Sequence, residues 1–282
     1  MKNLVNIEIK KCLKRKEFIF ILLLIIVAIS MDFTLTSMHF YGSKTSQLLS
    51  AHSGIIINNI IRTPLQPVFG VLLPITVSII GSDMYLEEKI NGTENVINTR
   101  ISKKENIISK AIAISIISFF IVLIPLLIDQ ILSLIAFPTQ GNGSFRESGY
   151  KQLIYIDKGI MLNSIQAYYP YLNNIIFMII RAISAVLFTL ISYGFSFIPK
   201  VNKYLSILSS FIIYTLLTTV LSLISFIILM SGINESLSEA IGTDILGVNG
   251  YGNIYVLFGI LLIYLILGIK LINKGIKSED VV

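Results

Sequence analysis

Side chains able to do chemistry are few and far apart in this chain of 282 residues. Glu87 and Glu88 stand side by side, an arrangement that acid–base hydrolysis can use, but no histidine or arginine cluster accompanies them within an apolar run. His39 and His52 are the only histidines and lack the H-E-x-x-H spacing of a helical zinc site. A phosphate-binding loop needs G-x-x-x-x-G-K-[ST], because glycine amides wrap the phosphates while the lysine neutralises them. The nearest strings, YGSKTS at 41–46 and KGIKSE at 274–279, lack adjacent Gly-Lys. No catalytic residue, no metal and no cofactor of its own are therefore expected. Cys12, the single cysteine, can form no internal disulfide. What remains are two charges within apolar sequence, Asp129 and Arg181, and one dense charged stretch, SDMYLEEKINGTENVINTRISKKENIISKAIA, from Ser82 to Ala113.

The elements that must carry these residues follow from composition. The chain is 54% hydrophobic and 13% charged, which is membrane-protein composition. A bilayer core of roughly 30 Å needs about 20 apolar residues in a helix. Six runs reach that length, approximately 17–37, 65–83, 108–136, 172–197, 205–232 and 254–273. They are continuously apolar, without the alternation of a transmembrane barrel. The expected fold is all-α and polytopic, one membrane domain over 1–282 without an internal repeat.

Lys and Arg distribution sets the orientation. Lys2, Lys10, Lys11, Lys14, Arg15 and Lys16 precede the first run, and Lys89, Arg100, Lys103, Lys104 and Lys110 lie between or near the second and third. Both termini and the 82–113 stretch are accordingly expected on the cytoplasmic side of a plasma membrane. The first apolar run is too long for a signal peptide and offers no small-residue cleavage site. The net charge of +6 matches this topology and anionic lipid rather than nucleic acid. Residues 2–16 place Leu4, Val5, Ile9, Cys12 and Leu13 on one helical stripe opposite lysines, a pattern suited to a helix in the headgroup plane. Between runs, 38–64 reads as a moderately polar external loop, and Tyr168, Tyr169 and Tyr171 as an interfacial aromatic belt.

Asp129 and Arg181 fall at matching depths in consecutive runs, about 10 and 13 Å from their external ends by the helical rise. A lone charge there costs about 3 kcal/mol, so the two are expected to pair, with Asp32 of the first run nearby.

In the charged stretch, Met84, Ile90, Val96, Ile97 and Ile101 alternate with Glu87, Glu88, Lys89, Glu94 and Arg100, which predicts a short amphipathic helix near ENVINTRIS. Ser102 with Glu105 three residues later forms a capping box that starts the third span. Here the chain resembles the permease subunit of ABC-2 type ABC transporters. The resemblance is carried by Glu87 and Glu88, Gly92-Thr93, Val96-Ile97, Thr99-Arg100-Ile101-Ser102-Lys103 and Lys110, with Arg100 standing where the family usually has proline. In layout it extends over nearly the whole chain.

The resemblance implies a coupling helix that docks on a separate ABC ATP-binding subunit, with Glu87, Glu88, Gly92, Thr93, Val96, Ile97, Arg100 and Ser102 in the docking region. It also implies ATP and Mg bound by that subunit, a second permease copy as homodimer or paired permease, and contact with membrane lipid. The expected function is ATP-driven export, in bacteria, of an amphiphilic or hydrophobic substrate such as an antimicrobial peptide or drug. The alternatives are an ion-coupled secondary transporter, disfavoured because only Asp129 and Arg181 lie clearly inside spans, and a non-transporting scaffold or sensor.

Overall fold

The computed structural model describes residues 1–44, 48–58, 63–92, 101–139, 161–199, 201–231, 238, 240–243, 246 and 252–277. Eight α-helices carry them: α1 (Lys2–Leu13), α2 (Lys16–His39), α3 (Leu65–Ile90), α4 (Lys103–Ala136), α5 (Asn163–Tyr168), α6 (Pro170–Phe195), α7 (Lys203–Met230) and α8 (Ile254–Lys277). Six of them, α2, α3, α4, α6, α7 and α8, are long and apolar enough to cross a membrane, so each apolar run of the sequence is a helix. Six crossings return the chain to the face it started from. That face, with α1 and the end of α8, is called the near face below.

The helix α6 is the hub. It packs on α3, α4, α7 and α8, and 67% of its membrane window is buried, against 6% for α7. Small side chains let the neighbours close in, because lipid tails give apolar helices no reason of their own to associate and close backbone contact must supply it. A β-carbon at Gly81 of α3 would sit 2.4 Å from the carbonyl oxygen of Thr189 in α6, so only glycine admits this crossing. Serines bond the seam between α3, α6 and α7. Ser192 Oγ donates to the Ser206 carbonyl at 2.9 Å while Ser206 Oγ donates to that of Ser192 at 2.7 Å, and Ser210 Oγ reaches the Pro74 carbonyl at 3.0 Å. In hydrocarbon such polar groups must be satisfied inside the protein.

At the near face α1 turns one side toward the bundle and packs on α4. Glu8 and Cys12 are buried there and Leu13 is exposed, so the inner stripe runs through Leu4, Val5, Glu8, Ile9 and Cys12 and leaves Leu13 outside it. Lys11 bridges Glu8 at 2.8 Å. The α4 helix, 34 residues long and so about 51 Å by the helical rise, exceeds a bilayer core, and its first turns give α1 a protein surface to lie on.

Candidate functional site

Two polar assemblies interrupt the apolar packing, one at each end of the bundle. The near-face assembly lies where α3 ends and α4 begins. Helix α3 ends at Ile90, and Gly92 just beyond has φ +67 with open space where a β-carbon would be. The glycine is required there by its backbone angle and not by crowding. Helix α4 begins on the predicted cap: Ser102 Oγ accepts from the Glu105 amide at 3.3 Å and donates to the Glu105 carboxylate at 3.0 Å, which satisfies an amide the first turn would otherwise leave open. Thr93, Val96, Ile97 and Arg100, with the amphipathic helix expected near them, lie outside the described residues, as does the Glu87 side chain.

Glu88 is not a free surface group. Its carboxylate forms an ion pair with Lys110 of α4, and the two side chains are 12% and 1% exposed. This strut ties the last turn of α3 to the second turn of α4, bracketing the joining segment. Around it Tyr193 Oη of α6 donates to the Ile107 carbonyl at 3.3 Å. Phe197 meets Tyr85 of α3 in a tilted contact at 4.4 Å and Tyr193 edge-on at 4.9 Å. A β-carbon at Gly275 of α8 would lie 2.4 Å from the Phe197 ring. The near ends of four spans thus meet around the Glu88–Lys110 pair and Phe197.

The far-face assembly was not foreseen. Leu49–Ile57, within the stretch read as an external loop, is buried throughout. Apart from one 3-10 turn at Ala51–Ser53, it has no helix to satisfy its backbone, and buried side chains of α4 and α6 do so instead. The Ala51 carbonyl accepts from Ser133 Oγ at 2.7 Å and Gln130 Nε2 at 3.2 Å. The His52 carbonyl accepts from Asn174 Nδ2 at 2.9 Å, which also donates to Gln130 Oε1 at 2.8 Å. The Ile56 amide donates to Asp129 Oδ2 at 2.8 Å. Gly54 lets the segment lie flat, since a β-carbon there would be 2.7 Å from Ser133 Oγ and 3.3 Å from the Phe137 ring. Leu49, Ala51 and Phe137 make a small core with Phe33, Phe40 and Tyr171 over it.

Both carboxylates of this assembly are fully buried, Asp129 on α4 and Asp32 on α2, and Asp32 accepts from Thr63 Oγ1. Arg181 is buried on α6, the helix that packs on α4. One oxygen of Asp129 accepts from the backbone amide of Ile56. The signal that could have revealed the inserted segment was present: Asp129, Gln130 and Ser133 line one face of a span and need partners, and Gly54-Ile55-Ile56-Ile57 is an apolar run inside a polar loop. His52 is buried in the insertion, whereas His39 stacks edge-on to Phe40 at 5.1 Å.

No curated protein and no solved structure matches the chain. The family model described as ABC-2 family transporter protein matches residues 4–163, which include most of α1, the first three spans, the strut and the inserted segment. With more than half of its 282 residues matched and six helices able to span a membrane, the chain belongs to the ABC-2 family of transporter proteins, as a multi-pass permease that pairs with an ATP-binding subunit.

Proposed function

We propose that this chain is the membrane half of an ATP-driven exporter of an amphiphilic or hydrophobic substrate, such as an antimicrobial peptide or drug, in a bacterial plasma membrane. Both termini face the cytoplasm, a second permease copy completes the pathway, and ATP and Mg are bound by the separate subunit. That subunit docks on the segment between α3 and α4, with Glu87, Gly92, Thr93, Val96, Ile97 and Arg100 toward it. The supporting observation is the bracket around this segment: a buried Glu88–Lys110 pair on one side and a capped helix start at Ser102 on the other. A part that carries force has to be stiffly joined to what it moves. In this reading Glu88 and Ser102 position the docking segment rather than touch the ATPase. The whole chain forms one membrane domain, and Arg181 balances Asp129 and Asp32 between the spans.

The experiment co-expresses the chain with its ATP-binding subunit and reverses charge at Glu87 and Arg100, separately from Glu88. ATPase activity of the complex in vesicles is expected to fall at least severalfold, with insertion of the permease unchanged. Full activity in both variants, and in Gly92→Val, would place docking elsewhere.

A further inference from the structure

The inserted segment at the far face is held by its backbone, in a seat made by buried side chains of α4 and α6. We propose that this seat is a peptide-binding site, that Leu49–Ile57 is its built-in occupant, and that an apolar peptide segment on its way to export takes the occupant's place. The part this exchange plays in export rests on the function proposed above; the binding itself does not.

Besides the bonds from Gln130, Ser133 and Asn174 to the Ala51 and His52 carbonyls and from the Ile56 amide to Asp129, the Ala51 amide donates to the Pro138 carbonyl at 2.9 Å, just past the end of α4. Each of these bonds is made to main-chain atoms of the segment. Its polar side chains turn to one another instead, with Ser50 Oγ 2.9 Å from His52 Nδ1 and 3.2 Å from Ser53 Oγ. Among the described residues, none of the three hydrogen-bonds to α4 or α6. Main-chain recognition of this kind gives affinity without reading sequence, and the packing of side chains selects, as it does when a strand adds to a sheet edge. Selection here is for apolar side chains, since Ala51, Ile55 and Ile56 are at most 1% exposed. It is also for a small residue at the position of Gly54, which passes Ser133 and Phe137. A helix is excluded as occupant, because its own ladder already takes the amides and carbonyls that the seat reads.

Asp129, Gln130, Ser133 and Asn174 are buried, and polar groups in such surroundings need partners. A replacement must therefore offer carbonyls to the three donors and an N–H to the carboxylate. Peptide backbone does so. A drug-like hydrophobic cation brings no such row of groups and leaves the donors unpaired. The tethered segment competes at an effective concentration on the order of millimolar, so a free peptide gains entry to the extent that the tethered one is weakened.

The test uses the full chain, purified in detergent without an ATP-binding subunit. The probe is a fluorescein-labelled synthetic peptide with the sequence of residues 49–57, LSAHSGIII, read by fluorescence anisotropy. Gly54→Val crowds Ser133 and Phe137 and unseats the chain's own segment, so the probe is expected to bind this variant roughly tenfold or more tighter than the parent. The same peptide N-methylated at its second isoleucine keeps its apolar side chains but lacks the N–H that Asp129 accepts, and it is expected not to compete. Tetraphenylphosphonium is expected not to compete either. If Gly54→Val does not fold, Ser53→Cys in a Cys12→Ser background gives the second reading. N-ethylmaleimide labelling at this site, 1% exposed, is expected to quicken severalfold and saturably with the unmethylated peptide alone. Competition by the N-methylated peptide or by tetraphenylphosphonium as strong as that of the unmethylated peptide overturns the proposal, since it describes an apolar surface and not a seat that reads backbone. A probe that binds Gly54→Val no better than the parent overturns it too, as does a labelling rate that the peptide leaves unchanged. Neither readout involves transport, so failure here leaves the export reading standing.

Discussion

Removing either half of the Glu88–Lys110 strut should not cost the same, because the two side chains are not equally buried. Glu88→Leu strands the Lys110 ammonium at 1% exposure, and breaking a buried pair this way costs about 3–5 kcal/mol. Lys110→Met takes one partner from Glu88, which is 12% exposed and within reach of water, and about 1–3 kcal/mol is expected for that loss. The double variant replaces the pair with apolar groups and should lie within about 1 kcal/mol of the parent. Cys12 supplies the assay, being the only thiol and 2% exposed: a thiol-reactive dye in detergent reports its exposure as the temperature rises. With roughly 2–4 °C per kcal/mol for a chain of this size class, Glu88→Leu should melt roughly 10 °C lower and Lys110→Met only a few degrees lower. The double variant should recover most of the loss. Equal losses in the two single variants, or a double variant whose loss is their sum, would refute the asymmetry and with it the strut.

Two further outcomes are expected. The purified chain should show no saturable ATP hydrolysis until its ATP-binding subunit is added, measured by phosphate release, because it has no Gly-Lys-Ser/Thr loop. Asp129→Arg and Arg181→Asp should each lower folded yield by severalfold, each leaving buried like charges at a cost of about 3 kcal/mol, and the double swap should restore much of it, read as the monodisperse fraction by size exclusion. A double swap no better than either single change would mean that the two charges do not compensate each other.

Much of this architecture was legible because a bilayer imposes a length on apolar runs. The six spans needed nothing beyond that rule, and the start of α4 followed from Ser102 and Glu105, a signal four residues long. The inserted segment was not legible for the opposite reason. Its partners at 129, 130, 133 and 174 lie about 70–120 residues away along the chain, and no local pattern records a hydrogen bond of that span. Glu88 was half legible: charge density placed it correctly at the near face, but nothing local indicated that its carboxylate turns inward to Lys110.

The central place of α6 has a consequence for how the chain is made. Translation delivers α2, α3 and α4 to the insertion machinery before α6 exists, so Asp32, Asp129 and Gln130 enter the bilayer before Asn174, which will later donate to Gln130, has been made. A carboxylate at membrane depth disfavours insertion by about 2.5–3.5 kcal/mol. The first three spans are therefore expected to linger at the translocon, their polar faces toward its water-filled interior, until Pro170–Phe195 emerges and the seat can close. A ribosome stalled with α4 clear of the exit tunnel but α6 still inside it should hold a chain that carbonate extracts and proteases reach, whereas one stalled late enough for α6 to clear the tunnel should hold a chain that resists both.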